Sequence, residues 1–241
     1  MTSSTILSNW RQIAAEASQG ISSGPIYSTF IKTVDENNLS GDLLDFGAGT
    51  GNLARQLQRL NRFRSITGVD ILPRPETIDQ TVRWITWDLN EKIDLPNATF
   101  DVIVSAEVIE HLENPRAIAR EWVRLLRPGG TLIFSTPNNE SWRSILALLL
   151  QGHFVYFGKS SYPAHITALL RQDIRYILQE AGFSQPKFIF TNVGRVPKLT
   201  RFYWQQLSGG LLKGSRYSDN LLAIAQKPMT TPANQEMKST L

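Results

Sequence analysis

Three histidines, two closely spaced glutamates and the absence of cysteine set the chemistry open to this chain. His111, His153 and His165 are the side chains able to take a proton near neutral pH. Without a thiol there is no cysteine nucleophile, no thiolate zinc site and no disulfide framework. Glu107, Glu110 and His111 stand at i, i+3 and i+4, so a helical segment would bring them to one face as a divalent-metal site. The same residues suit the wall of a ligand pocket, with Glu110 bracing the loop; on that preferred reading no metal is assigned.

The stretch LLDFGAGTGNLA, residues 43–54, reads as a buried strand, a glycine loop and the start of a helix. Open α/β sheets bind ligands at such carboxyl ends of strands. Gly47, Gly49 and Gly51 let the backbone turn and approach a ligand closely, while the following helix offers free N–H groups. A dinucleotide fingerprint wants glycine at position 52, where Asn52 stands. Further acids close later strands: Asp70 ends TGVD and is placed to accept two ribose hydroxyls, and Asp88 follows in WDL.

With Asp45 ahead of it, the G-x-G-x-G spacing resembles motif I of the class I S-adenosylmethionine-dependent methyltransferases. TGVD at 67–70, WDL at 87–89, FDVIVSAEVIEH at 100–111 and LRPGGTLIFSTP at 126–137 resemble the family's later segments at matching distances. The resemblance is strong over about residues 42–137 and looser beyond. It implies S-adenosylmethionine as cofactor, held by Asp45, Gly47, Ala48, Gly49 and Gly51 in the loop, with Asp70 and Ile71 at the ribose. It places Asp88 and Leu89 at the adenine and Ala106 and Glu107 beneath the methionine portion. EVIEH is similar to the same pattern in ubiquinone-biosynthesis O-methyltransferases, some of which are metal-assisted. SYPAHIT at 161–167 resembles a segment of their bacterial relatives. His111 is the first candidate base and His165 the second.

These residues need a scaffold, and the alternation of short apolar runs with helical patterns supplies one. The expected class is α/β: a Rossmann-like, seven-stranded, mostly parallel sheet with helices on both faces. Strands are expected at 42–46, 66–70, 82–86, 100–105, 131–136, 187–191 and 220–226. Helices are expected at 52–60, 115–126 and 171–181, with Pro128 and its glycines ending the second. Residues 1–40 suit one or two amphipathic helices forming a cap ahead of a domain over 41–227. Residues 138–165 are an apolar insertion on the acceptor side, and 228–241 a disordered tail.

A chain of 241 residues with 41% hydrophobic content can bury one core. Its longest apolar run, 145–150, is too short to span a bilayer, and its first residues lack the pattern of a signal peptide, so a cytoplasmic location is expected. The net charge of +4 is mild and Arg55, Arg59, Arg62 and Arg64 read as a solvated helix face, so no nucleic-acid partner is expected. The favoured activity is O-methylation of a small apolar or lipid-linked acceptor, such as a polyprenyl phenol or a glycan-related molecule, with peripheral membrane contact through 142–157 or a helix packed on the core as its structural counterpart. The alternative is a non-catalytic, cofactor-binding partner subunit of the same fold. Oligomeric state is open.

Overall fold

The computed structural model describes residues 3–229. Two helices come first, α1 (Ser3–Ser18) and α2 (Gly24–Glu36), then β1 (Gly41–Phe46), α3 (Asn52–Gln58), β2 (Phe63–Asp70), β3 (Arg83–Thr86) and β4 (Phe100–Ala106). There follow α4 (Pro115–Leu125), β5 (Leu126–Pro137), α5 (Trp142–Gln151), α6 (Arg171–Ala181), β6 (Lys187–Phe190), the short α7 (Trp204–Leu207) and β7 (Asn220–Gln226). The seven strands form one sheet in the order β3-β2-β1-β4-β5-β7-β6. All run parallel except β7, which lies antiparallel to both β5 and β6. This is the Rossmann-like sheet expected from the sequence.

Period-two alternation decides where each β1 side chain goes. Leu44 and Phe46 enter the core under α4 and α6, where Phe46 meets Trp122 edge-to-face at 5.7 Å and Trp122 leans on Phe134. Leu43 points the other way, packing with Phe30 and Val34 of α2 and Leu57 of α3. Asp45 shares Leu43's face, and this brings its carboxylate to the first turn of α3. Local chemistry sets the helix starts: the Asn114 side chain accepts from the Ala117 N–H ahead of Pro115, and the Ser141 side chain accepts from Ser144.

Three local expectations change. α4 does end at Leu125, but the Pro128 turn lies inside β5, which pairs at Leu126, slips register and resumes at Thr131. The segment after β4 is no regular helix: it bends at Glu107 and makes one 3-10 turn, Ile109–His111. The leucines of α5 are not packed on the core. Ser144 and Ala147 face inward, while Trp142, Leu146, Leu149 and Leu150 are exposed. No helix among the described residues is long and apolar enough to cross a membrane. The expected disordered tail lies outside the described residues, apart from its first two positions.

Candidate active site

A cavity of about 520 Å3 opens over the carboxyl ends of β1, β2 and β4, beneath α1 and the loop leading to α2. Of the residues singled out from sequence, Asp45, Gly47, Ala48, Asp70, Ile71, Asp88, Leu89, Ala106, Glu107, His111 and His165 all line it. Gly49 and Gly51 do not, and instead shape the loop behind it. His153 lies elsewhere, its Nδ1 2.9 Å from the Phe154 carbonyl.

The loop is built on contacts only glycine allows. A Cβ on Gly47, where φ is +80°, would collide with Val108, and one on Gly49 would collide with the Gly20 carbonyl. Gly20 therefore seats directly on the loop, its oxygen accepting from the Thr50 N–H at 3.1 Å. Asp70 braces the same loop from β2: one carboxylate oxygen accepts from Gly49 N–H at 2.7 Å and the other from Leu72 N–H at 2.9 Å. Each oxygen keeps a second acceptor position. Asp45 is fully buried, and burial with the nearby Asp70 charge pushes its carboxyl up to about 7, partly opposed by the Ala54 N–H of α3. Its Oδ2 has no protein partner. A buried acceptor left free beside an open cavity fits a ligand's ammonium or a bound water.

At the other acid the structure holds a residue the sequence did not flag. Arg11 of α1 reaches Asp88 at 2.9 Å, Glu91 at 2.7 Å and Glu113 at 2.7 Å. Asp88's other oxygen accepts from the Asn90 N–H. Trp10, Arg11, Ala14 and Ala15 thus roof the end of the cavity that the resemblance gives to adenine.

Beyond β4 the chain turns sharply. Glu107 holds φ at +56°, a conformation that costs a non-glycine residue roughly 1–3 kcal/mol and tends to mark functional sites. Its carboxyl accepts from Ser135 Oγ and from Asn220 Nδ2, both at 2.7 Å, and burial pushes it up to about 7. Glu107 thus stands on a left-handed bend, not on the single face that a regular helix would have given it with Glu110 and His111. Glu110 is completely buried; Thr136 Oγ1 donates to one oxygen at 3.2 Å and the other has no partner. Burial first, then the Glu107 charge, raises its pKa well above normal.

His111 meets His165 with ring centroids 4.7 Å apart and planes at 78°. The Ala164 carbonyl lies 2.8 Å from His111 Nδ1. A carbonyl only accepts, so Nδ1 carries the proton and Nε2 keeps its lone pair. Burial lowers His111 to about 4 and lowers His165 as well. His165 Nδ1 is buried without a partner. Glu110, His111 and His165 each offer a ligand atom, all within 4.8 Å of one another. The donor set is therefore Glu110, His111 and His165, drawn from two distant segments. Tyr156, Tyr162, Ile166 and Asn220 complete this end of the cavity; the aromatic richness of 142–157 hinted at Tyr156, SYPAHIT contains Tyr162 and Ile166, and Asn220 had no signal.

The family described as "Methyltransferase domain" matches residues 25–185, well over half of the chain. The chain belongs to that family. Its fold is that of the class I S-adenosylmethionine-dependent methyltransferases, a fold that binds that cofactor. Among curated relatives, the ubiquinone biosynthesis O-methyltransferase of Pectobacterium atrosepticum is 24% identical over 152 residues, covering 60% of this chain and 62% of the relative. An uncharacterized methyltransferase of Anoxybacillus flavithermus is 33% identical over 153 residues, covering 59% and 70%. The match thus spans less than two thirds of the length of the Pectobacterium relative. A crystal structure of an S-adenosylmethionine-dependent methyltransferase from Thermotoga maritima, described as a possible histamine N-methyltransferase, superposes with a TM-score of 0.60 at 18% identity. It covers 83% of this chain and 89% of the other.

Proposed function

We propose that this chain is an S-adenosylmethionine-dependent methyltransferase that methylates a hydroxyl oxygen on a small apolar or lipid-linked acceptor, in the manner of the ubiquinone-biosynthesis branch. The observation that carries this reading is the continuity of one cavity. It runs from Asp88 and Asp70, past Asp45 and the strained Glu107, to the His111–His165 pair and an apolar end at Tyr156, Tyr162 and Ile166. The name of the Pectobacterium relative supports an oxygen acceptor.

When bound, the cofactor supplies a methyl group already activated by its sulfonium. What remains for the protein is to exclude water and hold the acceptor oxygen in line, worth several kcal/mol when the geometry is fixed. The apolar end and the α1 roof exclude water. His165 Nδ1 offers a buried lone pair to the acceptor hydroxyl, accepting its proton as the oxygen is methylated. His111, held near 4, is a weaker proton acceptor at neutral pH and orients the pair.

A second reading rests on two orphaned atoms, Glu110 Oε1 and His165 Nδ1. Glu110, His111 and His165 together make a carboxylate–imidazole set suited to a divalent ion, which would lower the pKa of a bound hydroxyl.

The test is incubation with methyl-labelled S-adenosylmethionine and a panel of polyprenyl phenols, lipid-linked sugars and polar amines, with magnesium or with chelator. Labelled ethers from the apolar hydroxyls support the proposal. Label only in polar amines overturns the acceptor, and no product from any acceptor, with cofactor binding intact, favours the partner-subunit alternative.

A further inference from the structure

We propose that a second, smaller cavity beside the acceptor end holds an anionic group of the acceptor, a phosphate or a carboxylate, with Arg195 as its counter-charge. The inference rests on the acceptor reading above and narrows it: the acceptor carries an anion set apart from the hydroxyl that is methylated.

The second cavity, of about 130 Å3, lies against the first, and Ser23, Tyr156 and Asn220 line both. The Tyr156 ring stands 6.4 Å from that of His165, centroid to centroid. A molecule that reaches from His165 into the smaller cavity therefore passes along Tyr156 and Asn220. Beyond them the wall is Thr191, Arg195 and Tyr203, supplied by the chain between β6 and β7, with Asp219 at the start of β7.

Charge selects what the smaller cavity takes. Asp219 is already engaged: Arg143 lies 3.2 Å from its Oδ2, and the Arg195 backbone N–H donates to the same oxygen at 3.2 Å. Among the described residues no carboxylate oxygen comes within 4.0 Å of the Arg195 guanidinium. That guanidinium is turned to the Tyr203 hydroxyl, a neutral partner that leaves its charge on offer. Two cations thus meet one carboxylate around the cavity. The surrounding chain adds no acid to offset them, since Lys187, Arg195, Lys198, Arg201, Lys213 and Arg216 fall between Glu180 and Asp219 without an Asp or Glu. Ser23 and Pro25 also bring the first turn of the 13-residue α2 to this wall, and no side chain caps that turn. Its free N–H groups add to the positive potential that Arg195 sets up. A guanidinium fork beside a hydroxyl suits the oxygens of a phosphate or carboxylate, whereas an apolar group there would only strip the cation of water.

The experiment is calorimetric titration of the full chain, saturated with S-adenosylhomocysteine, with phenyl phosphate, benzoate and benzyl alcohol. Filling the cofactor site first leaves the acceptor end to the probes. At least one of the anions is expected to bind about tenfold more tightly than the alcohol, and Arg195→Gln should remove that preference. Retained S-adenosylhomocysteine affinity is the check that the variant folds. Arg201→Gln deletes an exposed cation of the same run that does not line the cavity, and it should bind the anions as the parent does. Tighter binding of phenyl phosphate assigns the group as a phosphate, and tighter binding of benzoate assigns it as a carboxylate. Anion binding no stronger than that of the alcohol, parent-like binding by Arg195→Gln, or an equal loss in Arg201→Gln overturns the proposal. Arg195-dependent anion binding in a chain that forms no ether with any acceptor bearing that anion would overturn the O-methylation reading alone.

Discussion

Arg11 holds Asp88 across 77 positions of sequence by a 2.9 Å contact in which both side chains are largely buried. With the Glu91 and Glu113 contacts of the same guanidinium, it fastens α1 over the end of the cavity where Asp88 and Leu89 lie. Lifting that helix would widen the exit for a bound ligand, so Arg11 bears on how readily the roof opens.

Arg11→Ala is accordingly expected to weaken S-adenosylhomocysteine binding by about 1–2 kcal/mol, mainly through faster dissociation. Stopped-flow release measures it directly. An unchanged dissociation rate would mean that α1 does not gate the cavity.

Asp45 provides a pH signature. Its folded pKa of about 7 lies above the ordinary 3.8, so the folded state binds the proton more tightly than the unfolded chain. Stability is unaffected below about pH 4, falls as pH rises from there to 7, and carries the full cost above it. Asp45→Asn should therefore stabilise the ligand-free protein at pH 8, by on the order of 1–3 kcal/mol, and leave it little changed at pH 4. Cofactor affinity should move oppositely in the parent, rising between pH 5 and 7 as the carboxylate forms opposite the ligand's ammonium. Thermal melts and calorimetry of parent and variant across this range decide it; a parallel pH dependence in both would remove Asp45 from the ligand.

Asp70→Ala should cost cofactor binding about 1.5–3 kcal/mol, the worth of a buried charged hydrogen-bond acceptor. Part of that loss would come through the loop, since the Gly49 N–H loses its partner. Unchanged affinity would place the ribose elsewhere.

His111→Ala and His165→Ala should lower kcat far more than cofactor affinity. If an ion sits between them, Glu110→Gln should abolish any magnesium dependence while the fold survives, because the amide is nearly isosteric. Equal loss of turnover and cofactor affinity in the histidine variants would contradict their place at the acceptor end.

What the sequence revealed was what lies close along the chain. The β1 strand, the glycine loop and the acid at the end of β2 are each set by a few consecutive residues, and the mostly parallel α/β class follows from the alternation of strands with helices. α6 was expected at 171–181 and spans those residues. The site's cross-chain partners had no local signal: Arg11 on Asp88, Asn220 and Ser135 on Glu107, and the Ala164 carbonyl on His111 join segments 28 to 113 positions apart. A metal site of Glu107, Glu110 and His111 was conditional on regular helix, and Glu107 turns left-handed there. For α5, composition alone could not say which face met the core; the spacing of Trp142, Leu146, Leu149 and Leu150 was the available clue.

Calorimetric titration of the chain with S-adenosylmethionine and S-adenosylhomocysteine tests the central claim most directly. The account predicts one site for each, with micromolar affinity that falls in Asp70→Ala. Absence of heat and of thermal stabilisation with both compounds would contradict it.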